Sequence, residues 1–147
     1  ALHDADLKIF ERLTILGGWD RENLARQLRK LCQSASRPTA FLATDSSVAL
    51  VLLGVLQELD LSIPDDVSII CFDDADWTAA VSPPLTVVSQ PIKDLAMAAT
   101  EDLIARLQGE TKTTGEETLL QATLVSRGSV GRALTGPTRR QMRRIDG

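Results

Sequence analysis

The sequence predicts an α/β fold in which a parallel sheet is flanked by helices. Two nearly continuous apolar runs, at 39–44 and 67–72, have the length and composition of strands that are covered on both faces. The segment between them, 46–59, is apolar enough to form a helix, so strand, helix and strand follow one another within about 35 residues. A unit of this kind has a right-handed crossover and joins parallel strands.

The N-terminal third is predicted to contain a helix, a strand and a second helix. Apolar residues at helical spacing predict a helix over 2–10, and a short strand over 13–16 ends at two glycines. Asp20 is then placed as the N-cap of a helix with one buried face. Asp45 is placed in the same way before 46–59, where apolar residues occupy most of the helix circumference and predict deep burial.

The C-terminal half is predicted to hold two further strands and one helix. A Ser-Pro-Pro turn at 82–84 precedes a brief strand at 85–89, and Pro91 is suited to the first turn of a helix. That helix carries one apolar stripe and ends at Gly109. The last strand is expected over 119–126.

Composition limits the class of protein. A chain of 147 residues, 44% hydrophobic and 24% charged, is the size of one globular domain. Its longest apolar run is far shorter than the ~20 residues of a membrane-spanning helix, so we expect neither a membrane segment nor a signal peptide. Cys32 and Cys71 lie in apolar patterns, which indicates buried thiols and a cytoplasmic protein. Because His3 is the only histidine, we expect neither a zinc site of His and Cys ligands nor a catalytic triad. We expect no other metal site and no cofactor.

The charge is unevenly distributed along the chain. Residues 1–131 hold 11 basic and 19 acidic residues, whereas 132–147 hold five arginines and one aspartate. An acidic body is a poor surface for duplex DNA, because clustered lysine and arginine are needed to neutralise phosphates. We therefore expect 1–131 to form the folded part and 132–147 to be an Arg-rich, disordered tail.

Polar side chains follow both strands of the predicted βαβ unit. Thr44 and Asp45 come after the first strand, and Asp73 and Asp74 come after the second. Ligands of open α/β sheets bind outside the carboxyl ends of the strands, so these side chains are expected to edge one cleft. Acceptors of this kind suit a sugar, a polyol or a nucleobase, on whose apolar face Trp19 could stack. Asp73 is the strongest candidate, whereas Asp45 is also explained as a helix cap.

An enzymatic hypothesis competes with ligand binding. Residues 74–78 spell D-x-D-x-T, the signature of haloacid-dehalogenase-type phosphohydrolases, in which the first carboxylate attacks phosphorus beside a magnesium ion. Asp74 and Asp76 would be the carboxylates of that motif. The family also needs a later acidic pair at a strand end, and the acidic residues after Asp76 up to position 102 fall on a predicted amphipathic helix. The motif alone is a weak signal.

Four blocks of sequence, taken together and in order, carry a resemblance to a known family. They are RPTAFLATD at 37–45, IPDDVSIICFDD at 63–74, PPLTVVSQP at 83–91 and LVSRGS at 124–129. Over roughly residues 1–130 the chain resembles the LacI/GalR (lac-repressor-type) family of bacterial transcriptional regulators.

The resemblance implies a regulator without catalytic activity. Its effector domain would be periplasmic-binding-protein-like (Rossmann-like), with two α/β lobes that close on a small molecule and signal to an N-terminal helix-turn-helix headpiece. This chain would supply most of the second lobe, whereas the headpiece and most of the first lobe would lie outside it. The strand near Val87 and the helix from Pro91 would belong to the first lobe. Operator DNA would be contacted only through the headpiece.

The resemblance also assigns individual positions. Trp19 falls where an aromatic residue of the family stacks on the effector, and Asp73 falls where an aspartate bonds to it. Thr44 occupies the position at which sugar-responsive members carry asparagine, a departure that points to a different effector. The loop at 75–82 resembles a region near the family's dimer interface and implies an isologous homodimer.

Overall fold

The computed structural model describes residues 4–16, 20–109 and 117–132. A single 3-10 turn at Glu11–Leu13 precedes the first helix of this described part. The helices and strands are α1 (Arg21–Gln33), β1 (Ala40–Ala43), α2 (Ser46–Glu58), β2 (Ser68–Phe72), α3 (Asp76–Ala80), β3 (Thr86–Ser89), α4 (Ile92–Leu107) and β4 (Thr123–Val125). None of these helices has both the length and the apolar character required to cross a membrane.

The strands form one sheet in the order β1-β2-β3-β4. β1, β2 and β3 are parallel, with Leu42 opposite Ile70 and Cys71 opposite Val87. The predicted α/β fold and its βαβ unit, β1-α2-β2, are therefore confirmed. The sheet is mixed, because β4 pairs with β3 in the antiparallel direction.

Both predicted helix caps are present. The Asp20 carboxylate accepts a hydrogen bond from the backbone N–H of Asn23 at 2.9 Å and begins α1. The Asp45 carboxylate accepts from the N–H groups of Ser47 and Val48, at 2.8 and 3.0 Å, and begins α2. Such bonds satisfy donors that a helix N-terminus otherwise leaves without partners.

The core lies where α1 and α2 pack together and α2 packs on β1 and β2. Apolar residues at a spacing of four bury one face of α1, and a corresponding face of α2 meets them. The most deeply buried large side chains are Leu52, Leu56, Val67, Ile69, Leu85 and Val87.

Two predictions about burial are wrong. Leu42 in β1 is 64% exposed, so this strand is not covered on both faces. Leu50 in α2 is 45% exposed, so this helix buries one face rather than most of its circumference. α2 packs on β1, and alternate residues of β1 are exposed, so one side of this strand is open.

The N-terminal predictions are also wrong for the residues described. Residues 4–10 form a turn and an extended segment rather than a helix, and no strand forms over 14–16. Leu7, Ile9 and Phe10 are exposed, so no packing offsets the high cost of nucleating a short helix. Residues 1–3, with His3, lie outside the described residues.

The C-terminal strands differ in two ways from expectation. β3 lies between β2 and β4 with Val87 fully buried, so the implied placement of this strand in another lobe is wrong for this sheet. β4 is shorter than predicted, because 119–122 lack strand pairing. α4 follows Pro91 as predicted, but none of its residues is buried. The predicted disordered tail covers 132–147, of which 133–147 lie outside the described residues.

Candidate ligand-binding site

The three parallel strands end at one edge of the sheet. Ala43 at the end of β1 pairs with Cys71, so Thr44 and Asp45 lie beside the end of β2. Asp73 follows β2 directly at the same edge. The structure therefore brings together three of the residues predicted for the site. An edge of this kind, at the carboxyl ends of parallel strands, is where open α/β sheets bind ligands.

Asp73 is held in an uncommon backbone conformation. Its φ of 77° lies in the left-handed region, where few residues other than glycine occur. Its N–H donates to the carbonyl of Val88 at 3.0 Å, which fastens the end of β2 to β3. Its Oδ1 accepts a hydrogen bond from the side-chain Nε2 of Gln90. Backbone and carboxylate are thus both fixed by the neighbouring strand.

The second oxygen of Asp73 is available. Oδ2 has no hydrogen-bond partner within 4–16, 20–109 and 117–132. Among these residues, every buried side-chain nitrogen or oxygen has a partner. An oxygen without a partner is therefore accessible, and Oδ2 can accept a hydrogen bond from a bound molecule.

Asp45 serves as a helix cap, as one of its two interpretations predicted. Both cap bonds go to its Oδ1, and Oδ2 has no partner in the part of the chain that the structure describes. Thr44, the preceding residue, is exposed. Both side chains can therefore take part in binding, although the cap alone accounts for an aspartate at position 45.

The buried thiol of Cys71 lies behind these carboxylates. Burial, followed by the nearby charges of Asp73, Asp45 and Asp74, raises its pKa to about 11. The thiol is therefore protonated at neutral pH and is a poor nucleophile.

Asp74 has a structural partner. Nη2 of Arg127 donates to both of its oxygens, at 2.8 and 2.9 Å, and the buried Thr78 hydroxyl donates to Oδ1 at 3.0 Å. These bonds, chiefly those of Arg127, hold the pKa of Asp74 below its ordinary value. The carboxylate links the end of β2 to α3 and to the segment after β4.

The geometry does not support the phosphohydrolase hypothesis. Its nucleophile would be Asp74, whose two oxygens are bound by Arg127, and Asp76 lies exposed at the start of α3. Within the described ranges, no group of three His, Cys, Asp or Glu side chains could hold a metal ion. The D-x-D-x-T spelling here belongs to a strand-to-helix connection.

Two further points concern the predicted site. Trp19 lies outside the described residues. Gln90 is a site residue that the sequence analysis missed. The rule that placed Asp73 would have found Gln90, because it follows a third parallel strand, but that strand was assigned to another lobe.

A separate concavity of about 390 Å³ is lined by α4 residues alone: Lys93, Ala96, Met97, Thr100 and Glu101.

Comparison with known proteins agrees with this architecture. Residues 3–130 match the family described as periplasmic binding protein-like domain. The chain is 71% identical over 136 residues to the probable opine utilization operon repressor of Rhizobium rhizogenes, covering 92% of this chain and 69% of that protein. It is 29% identical over 130 residues to the HTH-type transcriptional regulator KdgR of Bacillus subtilis (strain 168), covering 88% of this chain and 35% of KdgR.

Solved structures give the same result. A putative LacI transcriptional regulator from Bacillus cereus subsp. cytotoxis superposes with a TM-score of 0.80 at 26% identity, over 90% of this chain and 47% of that one. A LacI-family regulatory protein from Chloroflexus aggregans superposes with a TM-score of 0.76 at 30% identity, over 88% and 47%. The chain therefore spans about half the length of these structures.

The chain has an α/β sheet with hydrogen-bond acceptors at the ends of its parallel strands, and its relatives are transcriptional repressors. Together these features define the effector domain of a transcriptional regulator, which is not an enzyme. The chain belongs to the periplasmic binding protein-like family, in its LacI/GalR branch. It corresponds to the effector domain of a LacI-family transcriptional repressor.

Proposed function

We propose that this chain senses a small molecule at the carboxyl ends of β1, β2 and β3, and that Asp73 is the principal contact. The proposal rests on the hydrogen bonding of the Asp73 carboxylate. Its backbone is fixed by Val88 and its Oδ1 by Gln90, whereas its Oδ2 has no partner among the described residues. A fixed acceptor loses little freedom on binding, so more of the contact energy appears as affinity.

The effector is a molecule rich in N–H or O–H donors. Thr44, Asp45 and Asp73 offer acceptors at one edge, and a carboxylate offers nothing else. Sugars, polyols and nucleobases meet this requirement. Opines meet it too, since they join an amino acid to a keto acid or a sugar through a secondary amine. The relative at 71% identity is named for an opine utilization operon. Among these classes we therefore propose an opine with a polyol chain as the effector.

Regulation follows from a difference in affinity between two conformations. The effector binds the closed form of the effector domain better than the open form, and this difference shifts a DNA-binding headpiece between its states. Coupling of this kind is worth about 1–3 kcal/mol, or roughly 5–150-fold in affinity. We also propose that the protein acts in the cytoplasm as a homodimer with α3 near the interface, and that it contacts operator DNA only through the headpiece.

The test is calorimetric titration of the intact gene product with four probes: mannopine, D-mannitol, D-glucose and hypoxanthine. We expect mannopine to bind and Asp73→Asn to weaken its binding by about ten-fold, the value of one hydrogen bond to a charged group. Asp60→Asn is the matched control, because Asp60 also has a left-handed backbone, with φ of 54°, but follows α2 at the other end of the helix.

The two parts of the proposal fail separately. Equal affinity of the wild-type protein and Asp73→Asn for a bound probe would remove Asp73 from the site. Binding of none of the four probes would contradict the proposed class of effector. Trp19→Ala and Thr44→Val, titrated with the same bound probe, test the lesser contacts, and each is expected to lower the affinity.

A further inference from the structure

The candidate site carries two aspartates at neighbouring strand ends. Asp45 and Asp73 each lie two residues beyond a pair of opposed strand residues, Ala43 and Cys71. Neighbouring strands of a sheet are about 4.8 Å apart, so both carboxylates are within reach of one small ligand group. Each carboxylate has one oxygen bonded to the protein, Oδ1 of Asp45 by the start of α2 and Oδ1 of Asp73 by Gln90.

Neither carboxylate forms an ion pair with the part of the chain that the structure describes. Arg127 forms a salt bridge with the adjacent Asp74 at 2.8 Å, but no described cation pairs with Asp45 or Asp73 in this way. The donors that do reach these two carboxylates are backbone N–H groups and the side-chain amide of Gln90, which are neutral. The two strand ends therefore keep the negative charges of both aspartates.

Other features of this edge offset only a small part of the charge. The N-terminus of α2, which Asp45 caps, carries a partial positive charge of about half a unit, because the peptide dipoles of a helix are aligned. The Thr44 hydroxyl and the second N–H of the Gln90 amide can donate hydrogen bonds to a ligand, but both groups are neutral. Roughly one and a half negative charges remain, which favours a bound molecule that is itself positively charged.

We propose that the effector carries a protonated amine, which lies between Asp45 and Asp73 and neutralises their charge. This inference rests on the proposed ligand site and specifies the charge of the molecule that binds there. A protonated amine offers N–H donors together with a full charge, and charge-assisted hydrogen bonds are roughly twice as strong as neutral ones. Mannopine meets the requirement, because the secondary amine that joins its polyol chain to its amino-acid part is protonated at neutral pH.

The test uses two probes that differ in one terminal group. D-Mannitol carries a hydroxyl there, whereas 1-amino-1-deoxy-D-mannitol carries an ammonium group. In calorimetric titration of the intact gene product, we expect the amine to bind about ten-fold more tightly than D-mannitol, the value of one hydrogen bond to a charged group. Added sodium chloride should weaken the binding of the amine and leave that of D-mannitol unchanged, because salt screens interactions between charges.

Two variants locate the charge that the amine meets. Asp73→Asn and Asp45→Asn each remove one negative charge, and asparagine keeps the helix cap at position 45. We expect each variant to reduce the preference for the amine over D-mannitol several-fold. Because both probes are titrated against the same variant, a general loss of folded protein does not change this ratio. Asp60→Asn removes a charge beyond the C-terminal end of α2, so it is the control and should keep the wild-type preference.

The outcomes separate this inference from the proposed function. Equal affinity of the wild-type protein for the two probes would overturn the inference but leave the proposed site standing, as is expected if a cation outside the described residues neutralises this edge. A preference that survives in both asparagine variants would place the amine elsewhere and would also overturn it. If the amine does not bind, the inference is wrong. Binding of D-mannitol, D-glucose or hypoxanthine would then still support the proposed function, whereas binding of no probe would contradict both.

Discussion

Arg127 forms a salt bridge with Asp74, which lies 53 residues earlier in the sequence. Its Nη2 is 2.8 Å from one carboxylate oxygen and 2.9 Å from the other. Nη1 of the same guanidinium donates to the carbonyl of Leu85 at 3.0 Å and to the hydroxyl of Thr78 at 3.1 Å. One side chain thus connects the segment after β4 to the end of β2, to α3 and to the start of β3. Because Asp74 adjoins Asp73, this salt bridge also helps to hold the end of β2 at the candidate site.

Replacing Arg127 by methionine should destabilise the protein. The change keeps the apolar stem but removes every donor, and it leaves Asp74 and Leu85 without these partners. The Arg127 and Asp74 side chains are 19% and 27% exposed, so we expect a loss of about 1–3 kcal/mol in the free energy of unfolding. Urea denaturation followed by circular dichroism measures it.

The matched control is Arg29→Met. Arg29 pairs with Glu58 at 2.6 Å, but these side chains are 41% and 53% exposed. Exposed ion pairs contribute little, so the urea midpoint should stay where it is. Equal losses in the two variants would contradict the role assigned to Arg127.

The salt bridge between Arg127 and Asp74 predicts that the free energy of unfolding depends on pH. Hydrogen bonds, first from Arg127 and then from Thr78, hold the pKa of Asp74 below its ordinary value of about 3.9. A carboxyl group with a depressed folded-state pKa contributes stability above its unfolded value, and the contribution is lost as pH falls through the folded value. Asp74→Asn lacks this titration. The difference in free energy of unfolding between wild type and variant should therefore shrink below about pH 4. A gap that stays constant from neutral to acid pH would show that the carboxylate charge is not what stabilises this region.

Ser129 should be as sensitive as Arg127, although it is small. Its hydroxyl donates to the carbonyl of Ile69 at 2.6 Å and accepts from the N–H of Thr86 at 2.8 Å, so it bridges β2 and β3 with no exposed surface. Ser129→Ala would leave a buried donor and a buried acceptor without this partner, at a cost of about 1–3 kcal/mol. Ser126→Ala, at an exposed position in the same segment, is the control for urea denaturation. Similar urea midpoints for the two variants would show that the hydrogen bonds of Ser129 do not stabilise the protein.

Local sequence patterns were sufficient wherever one element determines its own structure. The caps at Asp20 and Asp45, the βαβ unit and the position of Asp73 at a strand end follow from residues within a few positions of one another. The segment at 4–10 has the same kind of apolar pattern but no surface to pack against, and it does not form a helix. Periodicity therefore predicts an amphipathic element only when a partner for its apolar face is present.

Contacts between distant segments could not be predicted from spacing. Arg127 and Ser129 belong to a block that was noticed only for its resemblance to a family, because their partners lie 41 to 60 residues away. Gln90 was missed because β3 was assigned to another lobe, whereas β3 lies beside β2. Asp74 was weighed as a nucleophile because the sequence does not reveal its guanidinium partner.

Asp45 allows the cap and the ligand contact to be tested apart. Asparagine is as good an N-cap as aspartate, so Asp45→Asn should keep the bonds to Ser47 and Val48 and retain the urea midpoint. Asp45→Ala removes the cap and should cost about 1 kcal/mol. Asp20→Asn and Asp20→Ala, at the N-cap of α1, form the matched pair and should show the same stability pattern.

The affinity for a bound probe then decides the second role of Asp45. Asp45→Asn replaces an accessible carboxylate oxygen at the site edge by an amide that can also donate, so we expect the affinity for mannopine to fall while stability is retained. Asp60→Asn, beyond the C-terminal end of α2, is the control for affinity and should leave it unchanged. Unchanged affinity in Asp45→Asn would leave Asp45 as a cap alone, with Asp73 as the carboxylate that binds the effector.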